Sequence, residues 1–291
     1  MKYGIYYAYW EKQWGADYVP FVGRVAELGF DILEISCAGL RDVHKNDIEK
    51  LKEASQRHGI TLTGGYGPKA EENIASEDPA VRKNALRFWA DTFPVLEKLG
   101  ISSVGGGLYS YWPVDYGKPV DKKAELERSI KGVREMADMA ADYGITLCME
   151  VLNRFEGFLL NTAEEGIAFV KAVNKPNVKV MLDTFHMNIE EDDFAKAILH
   201  TGNLLGRLHV GEANRKLPGP EGRMPWKEIG RALKTVGFDG DVVMEPFVLE
   251  GGQVGQDIKV WRDLSNGASL ADLDRMASKS LTFLRQAFDG R

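Results

Sequence analysis

Short apolar runs alternate along this chain with longer segments in which apolar residues recur every three or four positions. The short runs fall at residues 3–9, 31–36, 60–66, 101–106, 145–150, 178–183, 206–210 and 241–245 and predict strands. The longer segments at 19–28, 47–58, 79–99, 122–143, 162–173, 193–200, 225–236 and 270–288 predict helices. The helix-to-strand joints LGF, HGI, LGI, YGI and VGF repeat one device, a glycine where a helix ends in a left-handed residue. Thr162 and Glu165 form a capping box, and Pro225 opens a helix. The strands lack polar alternation, as expected when both faces are covered. Eight such units predict an α/β fold, a (β/α)8 barrel built as a single domain over residues 1–291. A doubly wound open sheet is the alternative, but it needs a glycine fingerprint after the first strand, where YAYWEKQW stands instead. The run Gly105–Gly107 lacks that spacing and reads as close backbone approach to a ligand or as tight packing.

Composition narrows the function classes. An apolar fraction of 44% over 291 residues excludes a disordered chain. A net charge of −6 disfavours a nucleic-acid partner held through a basic footprint. Two cysteines, Cys37 and Cys148, form neither a disulfide framework nor a zinc-finger spacing. The N-terminus MKYGIYYAYWEKQW has no cleavage-site pattern, and no apolar stretch approaches the ~18 residues of a membrane span. A soluble cytoplasmic protein without membrane or nucleic-acid partners is the expectation.

In a (β/α)8 barrel, chemistry collects at the C-terminal strand ends. Four successive strands end in a potential metal ligand: Glu150 in LCME, Asp183 in VMLD, His209 in RLHV and Glu245 in VMEP. One such residue is unremarkable, since acids cap helices and pair with basic residues. A ring of four needs a cation or a basic group among the acids. Three carboxylates and one imidazole suit Mn²⁺, Mg²⁺ or Co²⁺ better than structural zinc. Glu156, His186 and Arg215 lie in the loops just beyond and are placed to grip hydroxyl or carbonyl groups. His44, His58 and His200 read as surface residues. Tyr6, Trp10, Trp14, Tyr66, Trp112 and Phe247 would wall a mouth suited to a small polyol with one apolar face. Tyr7 and Tyr9 read as core.

These residues carry a family resemblance. GIYYAYWE, YSYWPVDY, CMEVLNRFE, NVKVMLDTFHMNIEED, HVGEANRKLPG, GRMPWKEIG, VVMEPFV and DIKVWRDLS, spanning residues 4–265, closely resemble the ketose 3-epimerases (D-tagatose and D-psicose, or D-allulose, 3-epimerases) of the xylose-isomerase-like TIM-barrel superfamily. The resemblance implies a divalent ion, usually Mn²⁺, on Glu150, Asp183, His209 and Glu245, with the two glutamates as the acid/base pair. It implies substrate contacts from Tyr6, Glu156, His186, Arg215 and the backbone at Gly107, where some relatives have Ala. Tyr66–Pro68 and the triple glycine also depart from the relatives' pattern. The implied reaction is epimerisation of a free ketohexose at C3, such as D-fructose to D-psicose or D-tagatose to D-sorbose, through a cis-enediolate. A homo-oligomer, dimer or tetramer, is implied too, with exposed aromatics of YSYWPVDY as a lid or a subunit contact.

Three other functions compete. An aldose–ketose isomerase would move the carbonyl between C1 and C2. A metal-dependent endonuclease would want a basic face and more histidines than the five present. A non-catalytic sugar-binding module would bind sugar unchanged after treatment with a chelator.

Overall fold

A computed structural model describes residues 1–290. The strands are β1 (Lys2–Tyr6), β2 (Ile32–Ser36), β3 (Thr61–Gly65), β4 (Ser103–Gly106), β5 (Thr146–Glu150), β6 (Val178–Asp183), β7 (Leu205–Val210) and β8 (Asp241–Met244). All pair in parallel with their sequence neighbours, and β8 returns to β1, so the sheet closes into an eight-stranded barrel. The helices are α1 (Val19–Glu27), α2 (Lys45–His58), α3 (Pro79–Leu99), α4 (Lys122–Ala141), α5 (Ala163–Val173), α6 (Thr184–Glu190), α7 (Phe194–Thr201), α8 (Trp226–Thr235), α9 (Gly252–Ile258) and α10 (Leu270–Phe288). None is long and apolar enough to cross a membrane.

The strand and helix order is the one the apolar pattern predicts, and the joint glycines 29, 59, 100, 144 and 237 all have positive φ. Four features differ. The first strand stops at Tyr6, and Tyr7–Tyr9 turn into a 3-10 helix whose rings are fully buried, as read for Tyr7 and Tyr9. α2 starts two residues before its expected start, because the His44 imidazole accepts a hydrogen bond from Asn46 N and caps it. Helices α6 and α9 were read as loop. α6 forms because the Asp183 carboxylate at the end of β6 accepts from Phe185 N and caps the next turn. His44, His58 and His200 are exposed, as expected.

The barrel interior holds a buried polar layer below the C-terminal face. Side chains two apart on a strand share a face. Arg207 and His209 on β7 therefore point inward together, as do Glu34 and Ser36 on β2. Arg207 and Glu34 are fully buried and meet across the barrel at 2.5 Å. β4 makes room for them. A Cβ on Gly105 would lie 2.5 Å from Met181 Sδ and 2.9 Å from Arg207 Nη1. Gly106, at φ 127°, would place a Cβ 2.1 Å from the Tyr66 carbonyl oxygen. Two of the three consecutive glycines thus serve tight packing. Gly107 faces open space, with only Leu152 Cδ1 3.6 Å from a Cβ.

This contrast predicts that Gly106→Ala destabilises the chain by about 1–3 kcal/mol in urea unfolding, since the clash is with backbone. Gly107→Ala should stay within about 0.5 kcal/mol of the parent. Equal losses in the two variants would contradict this packing account.

Candidate active site and metal centre

Glu150 closes β5, Asp183 closes β6, His209 is the next-to-last residue of β7, and Glu245 follows β8 directly. Asp183 and His209 are register partners, so the parallel ladder itself sets them side by side. One ligand atom from each of the four residues falls within 4.8 Å of the others. His209 Nδ1 is 3.6 Å from Glu245 Oε1 and 3.9 Å from Glu150 Oε1. Both His209 Nδ1 and Glu150 Oε1 are buried without a hydrogen-bond partner. Orphaned buried polar atoms are costly, and here they converge on one point. With three carboxylate donors and one imidazole, the group fits a hard divalent cation.

Arg215 supplies the cluster's guanidinium. Its Nη1 donates to Asp183 Oδ2 at 3.1 Å and to Glu245 Oε2 at 2.8 Å, while Nη2 reaches Glu156 at 3.3 Å. It lies 3.8 Å over the Phe185 ring. Its backbone is left-handed at φ 63°, and its N–H donates to the Glu212 carbonyl. Glu212 staples this loop to the next: its carboxylate accepts from Trp226 Nε1, Arg223 N and Gly219 N. His186 is oriented by Asn153, whose N–H and side-chain amide both face Nδ1, at 3.2 and 2.8 Å. Nε2 then carries the proton and faces Glu150 Oε1 at 3.7 Å and Asp183 Oδ2 at 3.8 Å.

Burial and the neighbouring Glu245 charge push the Glu150 carboxyl well above the usual carboxylate range. Burial likewise raises Asp183, against the opposing pull of Arg215. Burial and the Arg215 charge hold His186 well below the ordinary imidazole value, so it stays neutral. Burial also disfavours the His209 cation, but the charges of Glu34 and Glu245 outweigh it and raise that imidazole.

The cluster floors a cavity of about 250 Å³. Tyr6, Trp14, Tyr66, Gly107, Trp112, Glu150, Glu156, His186, His209, Arg215, Glu245 and Phe247 all line it, so the sequence reading's site residues come together. Asp183 sits behind them at 1% exposure. Trp14 meets Trp112 and Phe247 edge-on at 5.9 and 6.2 Å, forming one apolar wall. The Tyr66 hydroxyl is committed to the Glu72 carboxylate and its ring stacks on Phe88, so Tyr66 lines the cavity with its hydroxyl already engaged.

One reading needs correction and another is narrowed. Trp10 is not at the mouth: its Nε1 donates to Asp274 and its ring packs on Phe21. In YSYWPVDY, Tyr109 is buried with its hydroxyl on the Glu150 carbonyl, which leaves Tyr116 as the exposed aromatic. The sequence reading also missed Asn153, Glu212, Asp257 and Glu34. Asp257 accepts from Trp14 Nε1, and Glu34 Oε1 lies 2.8 Å from His209 Nε2. Glu34 had a signal, a carboxylate in the middle of the apolar strand DILEIS.

Fold and site together define a (β/α)8 barrel with one candidate metal centre at the C-terminal ends of its strands. Residues 22–264 match the xylose isomerase-like TIM barrel family model. The chain is 56% identical to a D-psicose 3-epimerase of Ruminiclostridium cellulolyticum, covering 99% of this chain and 98% of that protein. It is 51% identical to a D-psicose 3-epimerase of Agrobacterium fabrum over the full length of both. A crystal structure of D-psicose 3-epimerase with D-tagatose from Clostridium cellulolyticum H10 superimposes with a TM-score of 0.98, at 56% identity and 99% coverage of both chains. The chain belongs to the xylose isomerase-like TIM-barrel family and groups within it with the ketose 3-epimerases.

The raised proton affinities of Glu150, Asp183 and His209 set a pH dependence. Without metal these groups hold protons that a cation must displace, so binding should release protons and tighten from about pH 6 to about pH 8. Calorimetry in buffers of different ionisation enthalpy checks this. Affinity that is flat or falls with pH would contradict the shared-ligand arrangement.

Proposed function

We propose that this chain is a metal-dependent ketose 3-epimerase that interconverts D-fructose and D-psicose, with Mn²⁺ as its ion. The observation that carries this reading is the position of two carboxylates. Of the cluster's three acids, Glu150 and Glu245 line the cavity while Asp183 lies behind. They come from strands three apart around the barrel, β5 and β8. That arrangement provides two proton-transfer groups facing one bound sugar.

A carbonyl at C2 acidifies the C3–H bond of a ketose. Inverting C3 requires removal of that proton from one face and delivery of another to the opposite face. One of Glu150 and Glu245 takes the proton while the other gives one, and the roles exchange for the reverse substrate. One carboxyl must begin protonated and the other ionised. Without metal, burial and the neighbouring Glu245 charge hold Glu150 toward its protonated form. Arg215 Nη1 donates to Glu245 Oε2 at 2.8 Å and orients that side chain. A divalent cation held by Glu150, Asp183, His209 and Glu245 would supply Lewis-acid stabilisation of the negative charge that develops on the substrate oxygens.

The remaining side chains hold the sugar. His186 offers its Nε2–H, Arg215 the rest of its guanidinium, and Glu156 an acceptor, each to hydroxyl or carbonyl oxygens. Tyr6, Trp14, Trp112 and Phe247 cover the apolar face, and the backbone at Gly107 meets the ligand beside them. The homo-oligomer implied by the resemblance and a cytoplasmic setting belong to the same proposal. Phe155 and Trp261, 72% and 70% exposed, are apolar side chains that a subunit contact would cover.

Incubation of the Mn²⁺-loaded chain with D-fructose should yield D-psicose and no aldose. Glucose or mannose as the main product would instead indicate an aldose–ketose isomerase. Glu150→Gln and Glu245→Gln should each lower kcat by at least about 10²–10⁴-fold, the range expected for loss of a general acid or base. Near-parental kcat in either variant would exclude that residue from proton transfer.

A further inference from the structure

The imidazole in the metal cluster must present an unprotonated nitrogen to a cation, and a neutral imidazole has one bare nitrogen and one N–H. Which nitrogen is bare is decided by what the other one touches. In His209 the nitrogen facing Glu150 and Glu245 is Nδ1, and Nε2 faces the barrel interior. There it meets Glu34 Oε1 at 2.8 Å.

Glu34 is not merely the counter-ion of Arg207. A carboxylate paired only with a guanidinium tends to put both oxygens on it. Here Arg207 Nη1 reaches only Oε2, and its other contacts go to Gly64 O, Ser103 O and Ser103 Oγ at 2.7–3.0 Å. Thr63 Oγ1 also donates to Oε2, at 3.0 Å. Oε2 is thus pinned by two donors on one side, while Oε1 and His209 Nε2, both buried and without any other partner, face each other at 2.8 Å. The carboxylate is fully buried, and its orientation aims Oε1 at the imidazole. Beside the Arg207 guanidinium it is paired as a carboxylate, whose oxygens only accept.

We infer that Glu34, clamped by Arg207 and Thr63, is a positioning residue that holds the proton of His209 on Nε2 and so keeps Nδ1 bare toward the metal centre. The inference rests on the metal-site reading proposed above. It also makes Glu34→Gln an informative change. Arg207 and Thr63 both donate toward the Oε2 position, so the amide oxygen must stay there and the NH₂ group must face His209. Nε2 is then forced to accept, and the imidazole proton moves to Nδ1, where the cation should bind.

The test is Mn²⁺ affinity followed by electron paramagnetic resonance, without sugar, beside thermal unfolding of the same metal-free samples. Glu34→Gln should bind Mn²⁺ about 10–100-fold more weakly than the parent, the usual effect of losing a metal ligand's orienting partner. The double variant Glu34→Leu/Arg207→Met removes the buried pair together and leaves no unpaired charge. It should recover thermal stability relative to Glu34→Leu alone, yet still bind Mn²⁺ weakly. A loss of stability with Mn²⁺ affinity within about twofold of the parent in both variants would assign Glu34 a structural role only and overturn the inference. Nitrogen NMR of ¹⁵N-histidine-labelled, Mg²⁺-loaded parent tests the same point without substitution. An Nε2–H tautomer at His209 supports it and an Nδ1–H tautomer refutes it. Because no sugar is present, a chain that binds Mn²⁺ but epimerises no ketose would count against the proposed activity and not against this role for Glu34.

Discussion

Three carboxylates crowd one end of this barrel with little water to screen them. Two like charges 4 Å apart near a protein surface repel by roughly 4 kcal/mol, and more as burial deepens. The chain meets that repulsion in three ways. Glu150 and Asp183 resist ionisation, which removes charge. Arg215 reaches Asp183, Glu245 and Glu156 with one guanidinium. His209 brings an imidazole whose proton affinity is raised by its acidic neighbours. A divalent cation completes the balance, and the orphaned atoms of Glu150 and His209 are the groups it would satisfy. Most features of the site follow from this need for positive charge in a confined space.

The scaffold positions that charge in two tiers. Arg207 and Glu34 cross the interior one layer below the cluster, and strand periodicity then places His209 directly above them on β7. Glycines at 105 and 106 hollow β4 so that Arg207 and the Tyr66 backbone can approach. Above the cluster, loops do the work. Asn153 sets the His186 ring, Glu212 ties together the two segments that flank Arg215, and Asp257 holds Trp14 against the aromatic wall. The four candidate ligands thus sit at strand ends, while the residues around the cavity mouth sit on loops.

The barrel was legible because its cause is local. Each strand is a short apolar run, each helix carries an apolar stripe, and a left-handed glycine marks five of the helix-to-strand joints. The four-ligand cluster was legible because parallel strands in a barrel bring consecutive C-termini to one face. Helix α6 was missed because one residue, Asp183, acts as strand end, ligand candidate and helix cap at once. Helix α9 was missed because GQVGQDI carries two glycines within seven residues. Trp10 was misplaced because a 3-10 turn after Tyr6 rotates it toward α10, and a straight strand could not show that. Glu34 and Arg207 lie 173 residues apart. Each appears in sequence only as a charge inside an apolar strand, and only barrel closure pairs them.

The central claim is that two carboxylates of this cluster exchange a proton at one carbon of a ketose. The most direct measurement is NMR of D-psicose incubated in D₂O with the Mn²⁺-loaded chain, following each carbon-bound hydrogen after metal removal. The account predicts that the D-fructose formed carries deuterium at C3, with C1 unlabelled and no aldose present. Deuterium at C1, or an aldose bearing it at C2, would contradict the account.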